Sequence, residues 1–131
     1  MKILLVDDNF VSRKLLNSLL SGVGVCSPAA SGEEALSLFV EAAKAEEPFD
    51  LICLDIMMPG LDGHETLSAI REWELDNAVD HISGVKVIMI TAMDDKKNVF
   101  QAFKSGCESY IVKPIEQIKL MEAISRLGLI K

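Results

Sequence analysis

The sequence predicts an α/β fold in which a five-stranded parallel sheet is covered by helices on both faces. Three observations predict it. Short apolar runs alternate with segments of helical period along the whole 131 residues. The runs are continuously apolar rather than alternating, as strands buried on both faces are. Two of them, Lys2–Val6 and Leu51–Leu54, lead directly into carboxylates, Asp7-Asp8 and Asp55, at the strand end where open α/β sheets place their sites.

Each element follows in order. Lys2–Val6 is the first strand. From about Asn9 to Ser21, Val11, Leu15, Leu16, Leu19 and Leu20 share one helical face, and Gly22 stops the helix. Val23–Ala29 is the second strand. Ser31, with Glu34 three residues on, fits a capping box for a helix running to about Ala45. Pro48 precedes the third strand, Leu51–Asp55, which breaks into Pro59-Gly60 and Asp62-Gly63 turns. A third helix runs from near Gly63 to about Leu75. Val85–Ile90 is the fourth strand and Asp95 to Lys104 the fourth helix. Glu108–Val112 is the fifth strand, Lys113-Pro114 a turn that admits a cis bond, and Ile115–Leu127 the closing helix. Right-handed crossovers leave few topologies for such a chain, and the flavodoxin-like order 2-1-3-4-5 is the natural one.

Composition narrows the function classes. Half the residues are apolar, too many for a disordered chain, and the net charge is -7 with no basic block. That balance argues against nucleic acid and against an anionic membrane as partner. No stretch has the length of a membrane span, and Met1 leads straight into a strand, so a cytoplasmic protein is expected. Cys26, Cys53 and Cys107 read as small buried hydrophobes. His64 and His81 read as solvent-exposed, Trp73 as packing, and Met57-Met58 as core or rim.

The strand ends then assemble a pocket. The first offers Asp7 and Asp8, the third Asp55, the fourth Thr91 followed by small Ala92, and the fifth Lys113. Each has an ordinary reading alone: Asp7-Asp8 a helix cap with a solvated neighbour, Thr91 a strand or cap residue, Lys113-Pro114 a turn. Three carboxylates and one ammonium leave two net negative charges, which a divalent cation would neutralise, and all-oxygen ligands suit Mg²⁺.

All five residues in this order resemble the receiver domain of two-component response regulators, as in the single-domain chemotaxis regulators, over essentially the whole chain. The resemblance implies a phosphoacceptor signalling domain that promotes only its own phosphorylation and dephosphorylation. Asp55 matches the acceptor. Asp7 and Asp8 match the acidic pair that holds Mg²⁺ together with Asp55 and the backbone carbonyl of Met57. Thr91 matches the switch hydroxyl, Lys113 the lysine that pairs with the phosphoryl group, and Tyr110 the aromatic that changes rotamer. A sensor histidine kinase or histidine phosphotransfer protein would donate, docking near Phe10, Val11, Arg13 and Lys14. The fourth helix, fifth strand and fifth helix, with Lys96, Lys97, Phe100, Phe103 and Lys104, would meet an unknown downstream protein. Residues 1–131 are expected to form one receiver domain with no separate output domain, monomeric when unphosphorylated.

Two other readings stand beside this one. A Mg²⁺-dependent phosphohydrolase also uses a strand-end Asp, but the haloacid dehalogenase type wants a second Asp two residues on, where Met57 stands. A non-phosphorylated interaction module is disfavoured by the complete set of pocket residues. Two features depart from the family pattern. The segment from Glu74 to Gly84 exceeds the usual length of about 2–6 residues for an αβ loop and is expected to be an extension that leaves the pocket intact. The positions two after Asp55 and Thr91, which tune hydrolysis in the family, are both methionines, Met57 and Met93, so a long phosphoryl lifetime is expected.

Overall fold

The computed structural model describes residues 1–80 and 83–130. His81, read above as exposed, lies outside them. Five parallel strands, β1 (Lys2–Val6), β2 (Val25–Ala29), β3 (Leu51–Leu54), β4 (Lys86–Thr91) and β5 (Ser109–Val112), form one sheet in the order β2-β1-β3-β4-β5. Five helices follow them: α1 (Phe10–Leu20), α2 (Gly32–Lys44), α3 (Gly63–Asp76), α4 (Lys96–Lys104) and α5 (Gln117–Arg126). This is the expected topology, with boundaries shifted by one or two residues.

Polar side chains start four of the helices. Asn9, Ser31, Asp62 and Asp95 each accept a hydrogen bond from the backbone N–H three residues on, satisfying an otherwise orphaned donor. The reciprocal capping box occurs at Asp62 and Glu65 on α3; at α2 the bond seen is the one from the Glu34 N–H to Ser31 Oγ.

The sheet separates two apolar layers. On one side Ala35, Phe39, Leu67, Ile70 and Ala102 bring α2, α3 and α4 onto Leu4, Ile52, Val87 and Met89. On the other, Leu16, Leu20, Leu120 and Ile124 bring α1 and α5 onto Ile3, Leu5, Leu51 and Ile88. Fully burying a Leu or Ile contributes roughly 1.5–3 kcal/mol, so these layers dominate the folding free energy. The expected apolar face of α1 is narrower than its sequence. Leu16 and Leu20 are buried and Leu19 packs beside them, but Val11 is 72% and Leu15 46% exposed. A helix lying on a sheet buries a limited arc, and five apolar residues overfill it.

Cys53 and Cys107 are buried, and burial pushes both thiols well above their usual range, which suits small core residues rather than nucleophiles, whereas Cys26, on the edge strand β2, is only half-buried. No described helix is long and apolar enough to cross a membrane.

Candidate functional site

Strand register brings the acidic residues to one edge. Val6 pairs with Leu54, so Asp7 and Asp55 leave the sheet side by side. Thr91 pairs with Val112, so Lys113 leaves beside Thr91. The turn after β3 is shaped by a close approach: a Cβ on Gly63 would overlap the Asp55 carbonyl and crowd Ile56, and the Gly63 N–H donates to the Ile56 carbonyl at 2.8 Å. Only glycine lets α3 begin against the strand end that carries Asp55.

Ligand oxygens of Asp7, Asp8 and Asp55 all lie within 4.8 Å of one another. Asp7 and Asp55 are buried and Asp8 is exposed, so the cluster has a closed floor and one open wall. The Lys113 Nζ donates to Asp7 Oδ2 at 2.7 Å, to Asp55 Oδ2 at 3.0 Å and, at 3.4 Å, to Ser12 Oγ. Backbone N–H groups hold the remaining oxygens: that of Asn9 donates to Asp7 Oδ1 at 2.9 Å and that of Met57 to Asp55 Oδ1 at 3.3 Å. Arg13 Nη1 donates to the Asp7 carbonyl at 2.7 Å, tying α1 to the same edge. The Lys113–Pro114 peptide is cis.

The electrostatics are those of a cluster short of positive charge. Burial raises the Asp7 carboxyl above its usual range, and the nearby Asp55 charge adds to this, despite the hydrogen bonds from Lys113 and Asn9 that oppose it. Burial alone would lower the Lys113 ammonium, but its bonds to Asp7 and Asp55 outweigh that and hold it above the usual lysine value.

Thr91 is fully buried, with its Oγ1 accepting weakly from the Met93 N–H at 3.4 Å. Ala92 beside it is exposed. The Tyr110 hydroxyl donates to the Met93 carbonyl at 2.6 Å, and burial together with the Asp95, Asp55 and Asp94 charges pushes its phenol up to about 12. Met57 is 63% exposed, as a rim residue is, while Met58 is buried. All the expected pocket residues therefore meet at one sheet edge. On the surfaces expected to meet partners, Phe10 and Val11 on α1 are exposed, as are Lys96, Lys97, Phe100, Phe103 and Lys104 on α4.

Two features escaped the sequence. His64 is buried rather than exposed, and its Nε2 lies 2.8 Å from Asn98 Oδ1 on α4. Nothing in the sequence around His64 signals a helix crossing over it. At the opposite sheet edge Arg71 joins Glu74 at 2.7 Å and Glu108 at 2.9 Å. The Glu74 and Glu108 carboxylates accept from the N–H groups of Val85 and Val87. This network closes the Glu74 end of the long segment, and α3 itself runs on only to Asp76. Trp73 packs edge-on against Phe39, as expected.

The family model of the response regulator receiver domain matches residues 3–125. The chemotaxis protein CheY of Halobacterium salinarum is 34% identical over 125 residues, covering 95% of this chain and 93% of that protein. The sensor histidine kinase GacS of Pseudomonas protegens is 32% identical over 94% of this chain, which amounts to 13% of GacS. The chain likewise spans about half the length or less of several other curated relatives that it matches. Among solved structures, the receiver domain of the histidine kinase CKI1 from Arabidopsis thaliana, complexed with Mg²⁺ and BeF₃⁻, superposes with a TM-score of 0.82. It is 28% identical and covers 97% of this chain and 89% of that one.

Proposed function

The chain belongs to the response regulator receiver family, a family of signalling domains, and on that premise we propose that Asp55 accepts a phosphoryl group from a phosphohistidine. The donor would be a sensor histidine kinase or a histidine phosphotransfer protein, the cofactor Mg²⁺, and the readout a protein partner of α4, β5 and α5. The observation that carries this reading is the Lys113 ammonium held between Asp7 and Asp55, with Asp8 in reach of both carboxylates.

The donor set fits the cation. Three carboxylates with one open wall offer hard oxygen ligands and room for water, which Mg²⁺ retains. Asp8, Asp55 and the Met57 carbonyl would hold it, with Asp7 acting through water; when bound, it would neutralise charge on the transferring oxygens. The chain's own groups do the rest. The Met57 N–H and Lys113 orient the Asp55 carboxylate. A carboxylate oxygen bonds to phosphorus as the phosphorus–nitrogen bond breaks, and the imidazole nitrogen leaves with the electron pair and is protonated. The Thr91 hydroxyl, whose oxygen accepts weakly from the Met93 N–H, donates to a phosphoryl oxygen, and its movement toward that oxygen draws on the loop leading into α4. The side chains of Met57 and Met93 carry no hydrogen-bonding group strong enough to orient a hydrolytic water, so the acyl phosphate is long-lived.

Intact mass after incubation with phosphoramidate tests the reading. It requires one Mg²⁺-dependent phosphoryl adduct that is absent from Asp55→Asn. Turnover of small phosphate esters without an adduct would favour a phosphohydrolase instead.

A further inference from the structure

We propose that His64 is a positioning residue for the phosphorylation switch, a latch that holds the first turn of α4 through Asn98. The inference rests on the phosphoacceptor reading above for its consequence, though not for the latch itself. The bond's direction follows from its surroundings. Asn98 Nδ2 donates to Asp95 Oδ1 at 2.8 Å, and a carboxylate only accepts, so the amide nitrogen faces Asp95 and the amide oxygen faces His64. The His64 Nε2 therefore carries the proton and donates. Its Nδ1 is buried without a partner among the described residues, so a single hydrogen bond orients the ring.

That bond matters because α4 has little else to hold it. Of its nine residues only Ala102 is buried. Its first turn forms a wall of an open groove of about 700 Å³, lined also by Met57, Met58, Met93 and the His64 ring. The chain from Asp95, whose side chain caps α4, runs back through Met93 to Thr91. Moving Thr91 toward a phosphoryl oxygen shifts this loop, and the His64–Asn98 bond resists the shift because α3, on which His64 sits, is anchored by buried Leu67 and Ile70. The latch thus favours the arrangement seen here, and its loss makes α4 looser and phosphorylation easier.

Hydrogen exchange of the α4 amides and the rate of phosphoramidate labelling, in His64→Leu, Asn98→Ala, the double variant and His64→Gln, test this. The Gln amide nitrogen sits as many bonds from Cα as His Nε2 and can donate to Asn98. His64→Leu should speed α4 exchange and labelling by about two- to tenfold, the factor expected for one net hydrogen bond, and Asn98→Ala, which also loses the bond to Asp95, by at least as much. Exchange in α5 should stay unchanged, the double variant should add nothing further, and His64→Gln should return both rates to wild type. Asn98→Ala keeps the His64 side chain on α3 and changes the edge of the open groove instead, so the test survives a misfolded His64→Leu. Wild-type exchange in Asn98→Ala, or a His64→Gln protein no closer to wild type than His64→Leu, would overturn the latch. Failure of the wild-type chain to label would sink the phosphoacceptor reading instead, and the exchange data would still decide the latch.

Discussion

Replacing Asp7 by Asn should stabilise the metal-free protein while weakening its response to Mg²⁺. Asp7 is buried beside two further carboxylates whose oxygens lie within 4.8 Å. At the 4.8 Å limit of that separation and an effective dielectric near 20, each like-charged neighbour costs at least about 3.5 kcal/mol. The Lys113 ammonium, 2.7 Å away, returns about 6 kcal/mol on the same scale. The balance leaves the ionised Asp7 destabilising by about 1 kcal/mol before burial adds its own penalty. Burial and the Asp55 charge likewise raise the Asp7 carboxyl above its usual range. A carboxyl raised in the folded state makes the fold bind more protons than the unfolded chain. Its penalty is absent below the unfolded value of 3.8 and fully present once pH passes above the folded value. Asn keeps the Oδ1 that accepts from the Asn9 N–H, so that hydrogen bond survives. Thermal unfolding followed by circular dichroism, at neutral pH with a chelator, should show Asp7→Asn raised by about 4 °C. Added Mg²⁺ should then raise the wild-type midpoint by more than the variant's. A variant that unfolds well below wild type in chelator would show instead that the Lys113 pair outweighs the repulsion.

Three further outcomes are expected. Lys113→Met leaves Asp7 and Asp55 without their cation and should cost about 3 kcal/mol in chelator, most of it restored by Mg²⁺; denaturant midpoints measured both ways check this. Glu74→Ala removes the acceptor of the Val85 N–H and a partner of Arg71, and should cost about 2 kcal/mol with no change in labelling rate. Met57→Asn places a polar side chain at the exposed rim of the site and should shorten the phosphoryl lifetime, read as decay of the intact-mass adduct; an unchanged lifetime would refute the role given to Met57.

Most of the fold was legible because its signals are local. Continuous apolar runs such as Leu51–Leu54, bounded by turn residues, suit buried strands, and Asn9, Ser31 and Asp95 each mark a helix start by chemistry confined to one turn, whereas Asp62, read as a turn residue, also caps α3. The candidate site was legible for a related reason: in a parallel sheet the strand ends share an edge, so Asp7, Asp55, Thr91 and Lys113 had to converge once the strand order was known. What was not legible depends on how elements lie across one another. Val11 and Leu15 have the period of a buried face but fall outside the arc that α1 presents to the sheet. The environment of His64 is made by α4, thirty-four residues on. Arg71 and Glu74 form a visible i,i+3 pair, but Glu108 reaches Arg71 from β5's approach, and no local pattern announces it.

If Asp55 carries an acyl phosphate, borohydride reduction of the phosphoramidate-treated protein will reveal it. Hydride cleaves an acyl phosphate and converts its aspartyl side chain to homoserine, which peptide mass spectrometry locates. Homoserine is expected at position 55 alone, and only when Mg²⁺ was present during labelling. Homoserine at position 7 or 8, or a phosphoryl group that survives reduction on a histidine, serine or threonine, would contradict it.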